Sequence, residues 1–256
     1  MVSTRFTQPP VREVSLTVLW EPLEGLLAAD VGDLLGELRA TYPTIRERTA
    51  MTPWTEIRVP GIQIIADKEV LPYSWWMSNE DDDRLVRFQF DRLVFSWRYT
   101  SDGQPYPEYP AMKRELVNLF DIVSFWLAGK QSKINLASQV RRVQIDYINQ
   151  VDLAPIDLLC GILTDWSGER GSKLPTQSKL LNATWFVELD PSDLNETTVK
   201  VEFDGLDGSI LTIVSTTDRG QKEPYLDSLD RVHDNSYKVF LSITSDQLQQ
   251  KWGRRQ

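Results

Sequence analysis

The stretch from Arg84 to Leu127 constrains the fold of this chain more than any other. Val86, Phe88 and Phe90 alternate with polar neighbours, and Leu93, Phe95, Trp97 and Tyr99 do the same a few residues on. Two strands are therefore predicted, each with one apolar edge. Asp91-Arg92 reads as the tight polar connection between them. Beyond the turn-rich segment Ser101 to Pro110, the apolar positions Met112, Leu116, Leu119, Val123 and Trp126 recur at helical spacing. That spacing predicts one long helix with a broad buried stripe. A hairpin running into a helix is the building unit of a sheet covered by segregated helices.

The rest of the chain repeats this outline. Val14, Leu16, Val18 and Trp20 mark a half-buried strand, and Asp30 to Thr41 a short helix with Asp30 as its N-cap. Ile57, Val59, Ile62 and Ile64 predict one or two strands interrupted at Pro60-Gly61. Tyr73 to Met77 begins another strand, with Glu80 to Asp83 as its exposed turn, and Gly129 is placed to close the long helix. Val140 to Asn149 reads as a strand and Ala154 to Leu163 as a short buried helix. Three further strands are predicted at Thr184 to Leu189, Val199 to Phe203 and Ile210 to Val214; Asp204 to Gly208 joins the last two as a hairpin. Leu226, Leu229, His233, Tyr237 and Phe240 then step as a second long helix behind Pro224, and Thr244 or Ser245 opens a final short one.

The fold class is therefore α+β: two mostly antiparallel sheets, each packed by a long helix, in a strands-then-helix layout that runs twice without a residue-level repeat. Residues 1–168 form the first half and 178–256 the second, with the Gly- and Pro-bearing 169–177 as loop or linker. A chain of 256 residues can bury a core without staples. Its net charge of −9 works against bulk attraction to nucleic acid. The single cysteine, Cys160, lies in an apolar run, which fits a reducing compartment. The first ten residues lack the apolar core of a secretion signal, and charges within the long helix argue against a membrane span. The expectation is a cytoplasmic protein.

Catalytic chemistry finds few residues to use. His233 is the one histidine, so any imidazole base or triad must use it, with Asp234 beside it as the second candidate. On the apolar stripe of a helix, a lone histidine reads first as a core or edge residue. One His and one Cys leave zinc without its usual ligands, and no metal site or cofactor is expected. The acidic run Glu80 to Asp83 could hold a divalent ion, but consecutive acids in a turn read first as a solvated tip. Glycine-rich phosphate loops and the nucleophile-elbow pattern are absent from the sequence. Arg84, Arg87, Arg92 and Arg98 punctuate the aromatic hairpin, and Arg141-Arg142 makes a second basic spot. Such arginines suit a phosphate or a partner's carboxylates, or else line solvated strand faces.

Arg87-Phe88-Gln89-Phe90-Asp91-Arg92-Leu93-Val94-Phe95-Ser96-Trp97-Arg98, followed by Tyr106-Pro107-Glu108-Tyr109, resembles a sporadically distributed family of uncharacterised bacterial and phage proteins. Its members carry an aromatic strand that ends in a polar residue, Trp and Arg, then a Tyr-Pro pair before a helix. Pro9-Pro10-Val11-Arg12-Glu13-Val14 resembles its opening, Tyr147-Ile148-Asn149 a strand end, and Leu229 with His233-Asp234 its closing helix. Ser96 stands where many of those proteins carry asparagine. The resemblance implies one full-length unit and a mobile-element or anti-phage setting, and it names no reaction. It also marks Trp97, Tyr106, Tyr147 and Asn149 as binding candidates beside Arg87, Arg98 and Arg142.

The leading expectation is a non-enzymatic interaction protein, antitoxin-like or part of a defence system, that docks a protein partner through an acidic, aromatic-rich surface. The alternative is an enzyme or sensor that holds a nucleotide or phosphorylated ligand in a cleft between the halves, through Arg87, Arg98, Arg142 and His233. Nucleic-acid binding is the third and is disfavoured by the charge.

Overall fold

A computed structural model of the chain describes residues 5–51, 72–102, 104–130, 134–153, 158, 182–187, 195–204, 208–218 and 223–255. The strands are β1 (Arg5–Phe6), β2 (Val11–Trp20), β3 (Thr44–Thr49), β4 (Tyr73–Ser78), β5 (Arg84–Gln89), β6 (Arg92–Arg98), β7 (Val140–Val151), β8 (Asn182–Val187), β9 (Asn195–Phe203), β10 (Ser209–Asp218) and β11 (Arg254–Arg255). The helices are α1 (Ala28–Leu38), α2 (Tyr109–Lys130), α3 (Leu136–Gln139), α4 (Tyr225–Ile243) and α5 (Asp246–Lys251). The α+β class is as expected, but the two predicted sheets are one. Nine strands hydrogen-bond in the order β3-β4-β5-β6-β2-β7-β10-β9-β8, and β1 pairs with β11 apart from them. Strand periodicity fixes which residues share a face and says nothing about which strands meet, so two helix-backed sheets and one long sheet read alike.

The predicted strands at Ile57 to Ile64, the helix Ala154 to Leu163 with Cys160, and the loop 169–177 that was to divide the halves lie outside the described residues, Leu158 excepted. By contact density the chain forms two units. One is 1–14, 145–217 and 230–256; the other is 15–144 and 218–229.

In the second of these, β3 to β6 form an antiparallel meander. The apolar alternation places Trp75, Met77, Val86, Phe88, Leu93, Phe95 and Trp97 on one face, all buried. Across that face lies α2, whose Met112, Leu116, Leu119, Phe120, Val123, Trp126 and Leu127 are buried. Phe88 meets Trp126 edge-on at 5.7 Å between ring centres, and Trp20 meets Phe120 at 6.2 Å. Next to α2, α1 is held by the Trp126 indole N–H donating to the Asp30 carbonyl at 3.1 Å and by Lys130 on the Asp33 carboxylate at 2.7 Å.

Several termini differ from expectation. Asp30 sits in the first turn of α1, and its carboxylate accepts from the Leu27 N–H at 3.1 Å; Leu27 is the N-cap. Gly129 lies inside α2, which runs on to Lys130. The predicted Asp91-Arg92 turn is Phe90-Asp91, since Gln89 pairs with Arg92.

In the first unit, Val199, Val201, Leu211 and Ile213 alternate inward from β9 and β10 against Val239, Phe240 and Ile243 of α4. Phe6, Phe240 and Trp252 cluster, with Phe240 and Trp252 stacked at 5.6 Å. Helix α5 is capped by Ser245, whose hydroxyl accepts from the Leu248 N–H at 3.3 Å. Beyond it Gly253 has φ +70°, a conformation that favours glycine, and it leads into the pairing of β11 with β1.

Candidate functional site

Because α2 covers the apolar face of β3 to β6, the alternate residues of those strands form the opposite face. Cross-strand register aligns Arg46, Trp76, Arg87 and Val94 in one row, and Thr44, Ser78, Leu85 and Ser96 in the next. Arg48, Arg92 and Arg98 share this face by their place in the alternation. Five arginines thus share this face, on which Ser74, Ser78, Leu85, Val94 and Ser96 are buried.

Their surroundings differ. Arg87 is half-buried; its guanidinium donates to the hydroxyls of Ser15 at 3.2 Å and Ser96 at 2.8 Å, and these two hydroxyls bond each other at 2.7 Å. Its central carbon stands 5.2 Å from the centre of the Trp76 ring, a cation–π distance. The Trp76 N–H in turn donates to Ser74 at 3.2 Å. Arg92 is fixed on Asp91 through two bonds, at 2.8 and 2.9 Å, and Arg98 lies 3.5 Å from Asp82. Arg46 and Arg48 are exposed, and among the described residues neither side chain has an ion-pair or hydrogen-bond partner. Glu47 lies between them in sequence but on the other face.

The buried turn at Phe90-Asp91 holds this arrangement from one end. Its carbonyls accept from the Trp20 indole and the Trp20 and Leu23 amides, each at 3.0 Å. The Gln89 side chain bonds the Met51 backbone in both directions, at 2.7 and 2.9 Å, and donates to Asp91 at 3.0 Å. Met51 follows β3 closely, so the β5–β6 turn tethers the strand that carries Arg46 and Arg48.

The residues singled out from sequence fall in four places. Arg87 and Arg98 share the arginine face. Trp97 is buried on the opposite face, with Tyr106 edge-on at 5.3 Å, so the pair packs together away from Arg98. Arg142 alternates with the buried Val143 and so points to the other side of β7. In the first unit, Tyr147, His233 and Tyr237 gather, with ring centres 6.5 and 6.4 Å apart and the His and Tyr237 rings parallel. His233 Nδ1 lies 3.2 Å from Asp234, and Asn149 is buried and donates to the Leu211 carbonyl at 3.1 Å. That bond makes Asn149 a strut between strands.

Sequence reasoning missed Arg46, Arg48, Trp76 and Ser15. The alternation Thr44, Arg46, Arg48 was the one signal for the first two, and it lacks the apolar partners that mark a strand.

Two tyrosines titrate high for structural reasons. Burial, then the hydrogen bond to Glu115 at 2.7 Å, pushes the Tyr42 hydroxyl well above its usual range. Burial, then the charge of Asp121, pushes Tyr225 up to about 12. The bond to Asp33 raises Lys130. Among the described residues no group of three His, Cys, Asp or Glu is placed to hold a metal ion, and no helix is long and apolar enough to cross a membrane.

Fold and site together define an α+β protein with one large antiparallel sheet and an arginine-bearing face on part of it. No family model and no curated protein matches the chain. Among solved structures it is similar to the di-domain ARO/CYC StfQ from the steffimycin biosynthetic pathway, at 14% identity over 90% of this chain and 96% of that one, with a TM-score of 0.24. A likeness that small carries no argument about fold or function.

Proposed function

We propose that this chain is a cytoplasmic binding protein that docks an acidic protein partner on the arginine face of β3 to β6 and makes no bonds itself. The observation that carries the reading is the pair of exposed arginines, Arg46 and Arg48, whose side chains have no ion-pair or hydrogen-bond partner among the described residues, on one face with Trp76 and Arg87. In a chain of net charge −9, that local reversal of sign suits a partner of opposite charge and would steer its approach. Trp and Arg are also the residues on which interface energy concentrates.

The family resemblance supports an antitoxin-like or anti-phage setting. The layout supports an origin by duplication: β2, α1, β3 to β6 and α2 in the first run, then β7, β8 to β10 and α4 in the second. The outward positions of β9 and β10 carry Thr198, Lys200, Glu202, Ile210, Thr212 and Val214, and no arginine.

The test is affinity capture from the native host with wild-type protein and with the Arg46→Glu/Arg48→Glu variant, circular dichroism confirming that both are folded. Wild type should retain a stoichiometric acidic protein that the variant loses. Equal recovery on both, or none on wild type, overturns the reading.

A further inference from the structure

Resting on that docking reading, we infer that the acidic partner docks by adding an antiparallel strand to the free edge of β3, and that this strand alternates acid, base, acid. Among the described residues β3 stands at one end of the strand order, with β4 on its other side. Each residue of an antiparallel strand sends its N–H and C=O to one side, and its neighbours send theirs to the other. The Ala50 N–H donates to the Pro72 carbonyl at 2.9 Å, one register step beyond the pairing of Thr49 with Tyr73. Thr44, Arg46 and Arg48 therefore turn their backbone groups toward β4 as well. The β4–β5 ladder agrees, because the Asn79 N–H donates to the Arg84 carbonyl at 3.1 Å, which leaves Ser74, Trp76 and Ser78 to face β3. Ile45, Glu47 and Thr49 thus direct their N–H and C=O groups away from the sheet, and among the described residues none of these groups has a partner. Every residue of β3 except the half-buried Ile45 is exposed, so the edge is open on both faces.

The side chains choose the strand. An added strand meets Glu47 at a hydrogen-bonded pair and Arg46 and Arg48 at the pairs between, where opposed side chains come closest. Carboxylates opposite the two arginines and a cation opposite Glu47 make three favourable cross-strand pairs, and the inverse pattern makes three like-charge pairs. A second copy of the chain is rejected on the same ground. In a twofold antiparallel pairing of β3 with itself, Arg faces Arg whichever of Arg46, Glu47 or Arg48 lies on the axis. The charges that guard this edge against indiscriminate pairing therefore admit one alternation. Main-chain bonds supply the affinity and the alternate side chains the specificity, as in other strand additions.

The full chain is titrated with the capped peptide Thr-Val-Glu-Lys-Glu-Val-Thr and with its charge-inverted form Thr-Val-Lys-Glu-Lys-Val-Thr, while the β3 amides are followed by NMR and hydrogen exchange. The net charge of −9 favours the cationic peptide, so a preference for the anionic one reports the edge. The anionic peptide should saturate at a concentration about tenfold or more below the other, in keeping with three cross-strand pairs reversed in sign. It should also slow exchange at the Ile45, Glu47 and Thr49 amides and leave those of Arg46 and Arg48, already bonded to β4, as they were. Arg46→Glu/Glu47→Lys/Arg48→Glu, which alters exposed side chains alone, should invert the preference. Equal saturation by the two peptides, no protection at the three outward amides of wild type, or an unchanged preference in the inverted chain overturns the strand addition. Capture of the acidic partner by wild type and not by Arg46→Glu/Arg48→Glu would still stand in that case, so the two readings fail separately.

Discussion

Asp91 is fully buried at a hairpin turn, where two bonds from Arg92 and one from Gln89 satisfy its carboxylate. A charge in that position is tolerated only because each partner is in place, and removing one leaves another charge buried. Asp91→Ala should therefore destabilise the protein by about 3 kcal/mol or more, measured by urea unfolding, and Asp91→Asn by less because it keeps part of the bonding. An Asp-Arg pair between two alternating runs reads as a solvent-facing tip. Its burial comes from Trp20 and Leu23, some seventy residues away in sequence, and no local pattern announces that. Tyr225 makes the matching case for pH. Its hydroxyl pKa rises from an ordinary 10.0 to about 12 because burial favours the neutral form. The stability it contributes is complete below the unfolded value, near pH 10, and is lost as the pH climbs through about 12, where the folded state must also ionise. Tyr225→Phe should flatten the alkaline fall in unfolding free energy over that window; a curve that matches wild type would refute the assignment.

At the scale of elements, the β5–β6 hairpin, α2 and α4 were readable because each keeps one period over many residues and buries the face that the period defines. Strand β3 was not readable. Thr44–Thr49 has Ile45 as its only apolar residue, as expected of a charged edge strand whose pairing is decided by β4. The start of α1 was read three residues late, because Asp30 caps from inside the first turn and no side-chain acceptor precedes it. Gly253 tests how the short β1–β11 pair is held. With φ at +70°, a Cβ there would meet the Thr7 side chain, while Thr7 and Gln8 donate to the Gly253 and Trp252 carbonyls at 3.2 and 3.1 Å. Gly253→Ala should cost about 1–2 kcal/mol for the left-handed backbone alone, and it should speed hydrogen exchange at Thr7 and Gln8 while the amides of β9 stay protected. Uniformly faster exchange would mean that the β1–β11 pair is not a local element.

For the molecule as a whole, composition conveyed the net charge and hid where the opposite sign collects. Arg87 and Arg98 could be placed on one strand face from the alternation, but it takes the register of β3 on β4 and β4 on β5 to bring Arg46 into the row of Arg87 and Arg48 onto the same face. Register is a non-local property, which is why the candidate surface was half legible while its principal exposed charges were not. This segregation has a kinetic consequence that total charge alone would reverse. An acidic partner meets a chain of −9, so long-range repulsion should slow its approach unless the arginine face dominates at short range. The Debye length falls from about 10 Å at 0.1 M salt to about 3 Å at 1 M. If the partner docks on the face, salt should reduce the association rate by about tenfold across that range with little change in dissociation, and Arg46→Glu/Arg48→Glu should invert the slope so that salt accelerates association. If net charge governs the encounter, wild type will already associate faster in salt. Stopped-flow rates for the two proteins over one salt series decide between these slopes.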